Sequence, residues 1–180
     1  VLASSLLAGD LLLTSNQSLW YCSAIQDVTA SPWSHAAMVV SDLQGGWYVA
    51  EMTSPKCRIT PIREWLESSG RAWACRVRRT LSPAQVWAVW NYWQRLEGKS
   101  YGYAVLATMA VTETWQRFST WLGLPVKWRR IPAPQFGKVC STAVAEAWRV
   151  AGLPSADVAG ESPVDCSREI FVGPVEEVAW

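Results

Sequence analysis

Residues 35–53 read "HAAMVVSDLQGGWYVAEMT". Two β-type runs, 35–41 and 47–53, flank the five-residue loop "DLQGG" with its two glycines, which is the pattern of a β-hairpin. That loop length pairs the strands most simply with Ser41 opposite Trp47, so that His35 faces Thr53 and Glu51 becomes a diagonal neighbour of His35. A slip of one residue on each strand would set Glu51 directly across. Either register keeps the two side chains on one face, because facing residues of an antiparallel pair point the same way. A carboxylate beside an imidazole fixes its tautomer and favours its protonated form. His35 is the only histidine among 180 residues, so this pairing is the base and orienting half of a catalytic triad if a nucleophile joins it.

The candidate nucleophile lies in "FGKVCSTAVAEAW" (136–148), where Cys140 opens a helix after a glycine-containing turn. Unpaired N–H groups and the positive end of the helix dipole stabilise a thiolate there, and the same groups can hold the oxyanion of a tetrahedral intermediate. Each element alone has a plainer reading: a satisfied histidine at a strand end, a small buried thiol, a solvated strand carboxylate. The three together require independent coincidences of residue type and position, which favours a site.

Composition narrows the function classes. Half of the residues (50%) are apolar and the formal net charge is +1, which offers no basic field for nucleic acid or an anionic membrane. Apolar runs such as "YAVLATMAV" (103–111) are too short to span a bilayer. The opening "VLASSLLAG" (1–9) lacks the basic residues of a secretory signal. Five cysteines, at positions 22, 57, 75, 140 and 166, form no C-x-x-C, and with one histidine they are poor material for zinc or for a disulfide framework.

The remaining elements read as α+β, a single domain over 1–180. "GDLLLT" (9–14) is a short buried strand opened by a turn. In "TPIREWLES" (60–68), Thr60 reads as an N-cap and Pro61 as the first helical residue. "RAWACRVRR" (71–79) alternates as a half-exposed strand, with Trp73, Cys75 and Val77 on one side. "SPAQVWAVWNYWQRLEG" (82–98) carries a capping box from Ser82 to Gln85, an apolar stripe of Val86, Trp87, Val89, Trp90, Trp93 and Leu96, and Gly98 as its stop. A helical stretch covers about 103–122, "GLPVKWRRIPAPQFG" (123–137) is a loop, a helix runs from Cys140 to Ala151, and a short strand lies near 170–172.

The run "GDLLLT…SHAAMVV…VAEM…KVCSTAVAEAW" resembles the circularly permuted branch of the NlpC/P60 papain-like superfamily, the YiiX/YaeF-like hydrolases. The order His35, Glu51, Cys140 matches the permuted order. "GKSYG" (98–102) is similar to the family's G-x-x-Y element, and "SPVDCSREIF" (162–171) to its closing segment. The resemblance implies a papain-like fold: a small antiparallel sheet or open barrel with the Cys-bearing helix packed on it, and here a helical insertion around 103–137. It implies Cys140 as nucleophile, His35 as general base and acid, and Glu51 as the residue orienting the imidazole. Tyr101 and Ser141 would fall on the substrate or oxyanion side, and Cys166 in the core. The implied chemistry is acyl transfer through a thioester, needs no metal or organic cofactor, and suits a bacterial cytoplasm or cell envelope.

Thirteen tryptophans are unusual. Trp87, Trp90, Trp93 and Trp148 read as core. Segment 113–130 mixes Trp115, Trp121 and Trp128 with Lys127, Arg129 and Arg130. It reads either as an amphipathic helix with a solvated basic loop, or as a rim touching an acyl chain, a glycan or a membrane surface. Three functions follow: a cysteine amidase acting on a small peptide, glycopeptide or N-acyl amino acid; a lipid-directed thiol esterase or acyltransferase of the lecithin–retinol acyltransferase type; and a catalytically silent binding module.

Overall fold

The computed structural model describes residues 2–15, 22–23, 26, 32–75, 80–103, 111, 115, 118, 120–122, 139–153 and 176–179. Six strands form one antiparallel sheet: β1 (Leu11–Thr14), β2 (His35–Ser41), β3 (Trp47–Glu51), β4 (Arg58–Pro61), β5 (Ala72–Cys75) and β6 (Glu176–Glu177), in the spatial order β4-β3-β2-β1-β5-β6. Three α-helices have both ends among the described residues, α1 (Ile62–Ser69), α2 (Pro83–Leu96) and α3 (Cys140–Val150), and a single 3-10 turn covers Ala3–Ser5. The arrangement is α+β, as expected, with the Cys-bearing helix packed on the sheet.

The hairpin has the register read from its loop. Ser41 pairs with Trp47 and the ladder runs to Ala37 opposite Glu51. The second strand ends at Glu51, two residues before the end of the run read from the sequence. The turn is held by Asp42, whose carboxylate accepts from the N–H groups of Gln44 and Gly46 at 2.8 and 2.9 Å. Gly45 sits at φ +100°, a conformation costly for any residue with a Cβ.

Both sheet faces are covered, and strand alternation decides which residues meet which layer. Leu11, Leu13, Ala36, Met38, Val40 and Ala50 face α2 and α3, in a core with Val89, Trp93, Val144 and Trp148. Leu12, Ala37, Val39, Val49, Ala72 and Ala74 face Trp65 and Leu66 of α1. The buried indoles keep hydrogen-bond partners, as buried polar groups require: Trp148 Nε1 donates to the Gly9 carbonyl at 3.0 Å and Trp93 Nε1 to Met38 Sδ at 3.5 Å.

Three readings are corrected. Thr60 and Pro61 do not start a helix; they close β4, Thr60 opposite Val49, and α1 begins at Ile62 without a side-chain cap. Sheet pairing on Val49 satisfies this backbone before helix capping can. Trp87 is not core: it is 50% exposed, whereas Val86, Val89, Trp93 and Leu96 are buried. In β5 the buried positions are Ala72 and Ala74, while Trp73 is half-buried against Trp33 at 4.6 Å between ring centroids. The expected strand near 170–172, the closing segment with Cys166, and most of the insertion around 103–137 lie outside the described residues.

The capping box of α2 is formed: Ser82 Oγ accepts from Gln85 N–H and Gln85 Oε1 from Ser82 N–H, at 3.3 and 3.0 Å. Ser82→Ala is expected to cost about 1 kcal/mol, read as a lower urea midpoint at unchanged slope. An unchanged midpoint would show that packing alone holds the helix start.

Candidate active site

The site forms where the two layers meet at the first residue of β2. Alternation directs His35 toward the α1 side, with Glu51 opposite Ala37 on that same face. His35 Nε2 donates to Glu51 Oε2 at 2.8 Å. Cys140 belongs to the opposite layer, with Ala36 and Met38. It meets His35 because the imidazole stands at the strand's end, and each side chain acts on the other's charge state. With Nε2 committed to Glu51, Nδ1 is the ring nitrogen left for the sulfur. The structure thus brings Cys140, His35 and Glu51 together, with the His35–Glu51 hydrogen bond at 2.8 Å.

Cys140 is the first residue of α3, after Val139, whose side chain cannot cap. Thr142 compensates in part, since its hydroxyl accepts from the Val139 N–H at 3.2 Å. The backbone N–H groups of Ala36 and Ser141 point to the sulfur. Ser141, expected on the substrate or oxyanion side, is buried, and its backbone N–H acts on the Cys140 sulfur. Tyr101 lies in the same buried core, its backbone N–H bonded to the Pro55 carbonyl at 3.0 Å and its ring edge-on to Tyr103 at 5.1 Å.

Two further residues complete the site, and neither stood out in the sequence. Arg58 Nη2 donates to Glu51 Oε1 at 2.8 Å, and the Trp65 indole N–H donates to Glu51 Oε2 at 3.0 Å. Arg58 is Glu51's ladder partner on β4. The only local signal was an arginine and a tryptophan flanking "TP", which does not reveal a strand.

These contacts set the charge states. Burial opposes a charged imidazole at His35, but hydrogen bonds to Cys140 and Glu51 and their negative charges outweigh it, raising its pKa from 6.5 to about 10. Burial would raise the Cys140 thiol; the hydrogen bond to His35, the ring's positive charge and the two N–H groups lower it instead. Burial likewise works against ionised Glu51, yet His35, Trp65 and Arg58 bring it down to about 2. The shifts run in the direction of a Cys140 thiolate beside a His35 imidazolium, with the Glu51 carboxylate on the ring's Nε2. Cys22 and Cys57 are also buried free thiols, and burial with the charges of Glu97 and Glu51 pushes Cys57 up to about 12, keeping it inert. Among the described residues no group of three or more His, Cys, Asp or Glu side chains could hold a metal ion.

The sign of the linkage is fixed by these shifts. Glu51's folded pKa is depressed, so its contribution is present above about 4.5 and lost as pH falls toward about 2. His35's is raised, so its contribution is full below 6.5 and lost as pH climbs through about 10. At neutral pH, Glu51→Gln is expected to be on the order of 3 kcal/mol less stable than the native chain. Urea titrations should show that gap narrowing in the acid window. A constant gap would mean that Glu51 has the same pKa in the folded and unfolded states.

Residues 5–108, more than half of the chain, match the model of the permuted papain-like amidase enzymes, YaeF/YiiX, C92 family. The matched segment contains His35, Glu51, Arg58 and Trp65 and ends before Cys140. No curated protein matches the chain. The fold is similar to the crystal structure of metalloprotein yiiX from Escherichia coli O157:H7, with TM-score 0.58 and 19% identity over 96% of this chain and 87% of that one. At that identity the likeness speaks for the fold alone. The family match and the sheet-and-helix architecture agree, and the chain belongs to the permuted papain-like amidase family YaeF/YiiX, C92.

Proposed function

We propose that the chain is a cysteine hydrolase of amide bonds, with Cys140 as nucleophile, His35 as proton carrier and Glu51 as the group that orients His35. The observation that carries this reading is the placement of His35 between Cys140, at the start of α3, and Glu51, whose Oε2 accepts from His35 Nε2 at 2.8 Å. Cys140 thiolate attacks the amide carbonyl, and first-turn N–H groups of α3 stabilise the oxyanion. The tetrahedral intermediate collapses as His35 gives its proton to the leaving nitrogen, which releases the amine and leaves an acyl-thioester. Water then attacks the thioester, His35 takes its proton, and the acid departs as the sulfur leaves as thiolate. Membership of an amidase family supports an amide as the scissile bond.

A second reading, hydrolysis or transfer of a lipid acyl group, is favoured by one observation. Phe118, Trp121 and Leu122 are exposed, Trp121 to 79%, within the tryptophan-rich segment that also carries Lys127, Arg129 and Arg130. Such a surface suits contact with an acyl chain, a membrane or a cell-wall glycan. Among the described residues no helix is long and apolar enough to cross a membrane.

Cys140→Ser is expected to lower turnover at least roughly a thousandfold while leaving the urea midpoint nearly unchanged. Product analysis on muropeptides, N-acyl amino acids and phospholipids separates the readings: amine release supports the amidase, fatty-acid release the lipid enzyme. Trapping an acyl-thioester on Cys140 by mass spectrometry would name the acyl group. Undiminished turnover in Cys140→Ser would remove Cys140 as nucleophile.

A further inference from the structure

We propose that Arg58 and Trp65 are positioning residues that pin the Glu51 carboxylate at both oxygens and share its charge, so that Glu51 orients His35 without locking the proton on the ring. The inference rests on the reading of His35 as proton carrier. A lone buried carboxylate against an imidazolium would hold the ring's proton too firmly for a general acid. The structure divides that carboxylate among three donors. Oε2 takes the His35 and Trp65 N–H groups at 2.8 and 3.0 Å, and Oε1 takes Arg58 at 2.8 Å.

Both residues come from elements that the site otherwise does not use. Arg58 sits across the β3–β4 ladder from Glu51, its side chain 58% exposed, so the guanidinium reaches in from the surface. Trp65 is buried on α1, and its indole N–H finds its acceptor in Glu51. Rotating the carboxylate would break all three hydrogen bonds, which fixes the orientation of Oε2 toward the ring. The titratable groups facing His35 are Cys140 from α3 and Glu51 from β3. Arg58 from β4 acts on Glu51, and the neutral Cys57 thiol lies within that carboxylate's field.

The single histidine makes the test direct, because the imidazole carbon-bound protons give one set of signals in an NMR titration. Native protein, Arg58→Met, Arg58→Lys and Trp65→Phe would each be titrated in full-length form. Arg58→Met removes a cation and a donor from Glu51, so the His35 midpoint should rise by half a unit or more, and Arg58→Lys should restore most of the native value. Trp65→Phe should move the midpoint the same way; Arg58→Met, being at the surface, carries the test if that variant is poorly folded. Where substrate turnover is measurable, the alkaline limb of kcat/KM should shift with the NMR midpoint. A midpoint that stays put or falls in Arg58→Met would overturn the inference even in an active enzyme. Absence of turnover in the native chain, with the midpoint rising as stated, would instead count against the catalytic reading and leave the charge sharing intact.

Discussion

The juxtaposition of His35 and Cys140 joins side chains from opposite layers of the molecule, and the candidate site depends on it. In the middle of a strand the two could not meet, because a side chain on one face is separated from the other layer by the sheet itself. His35 is the first residue of β2, where the sheet ends and the layers close on each other. Its ring is 18% exposed, and the surrounding core keeps water from competing with the ion pair. Sulfur, ring and carboxylate each bring a burial penalty, and each is offset by a partner of the right charge. Each group's charge state depends on the other two, so the three titrate as a coupled set.

Packing gives that contact its precision. Met38 and Ala36 of β2 lie against α3, and Trp148 anchors the helix by donating to the Gly9 carbonyl just before β1. The helix is therefore packed on β2 and tied, near its C-terminal end, to the segment that leads into β1. On the other face, α1 follows β4 without a break and delivers Trp65 to Glu51. The sheet serves as the frame on which Cys140 from one layer and Glu51 from the other are aligned with His35.

Much of this was legible in the sequence. A five-residue loop and side-chain alternation were enough to place Ser41 opposite Trp47 and Glu51 diagonal to His35, because strand register is set by those two quantities. The Ser82–Gln85 box was legible because it is purely local. Arg58 and Trp65 were not: β3 and β4 are joined by a connection with no hairpin signal, and "TP" at 60–61 carries the local marks of a helix start. A strand that exists only through its neighbour leaves little trace in its own residues. Trp87 was misplaced because the apolar stripe was drawn too wide. It follows Val86 by one residue, about 100° around the helix axis, and so turns away from the face that packs on β2 and α3.

If the geometry governs the chemistry, Cys140 exists as a thiolate because His35 is beside it. Ultraviolet thiolate absorbance, followed against pH in the native chain and in His35→Ala, with Cys140→Ala subtracted from each, measures this dependence. The expected result is a thiolate already present at neutral pH that disappears from that range when His35 is replaced. A Cys140 thiolate that forms only in the ordinary thiol range, and at the same pH with or without His35, would refute it.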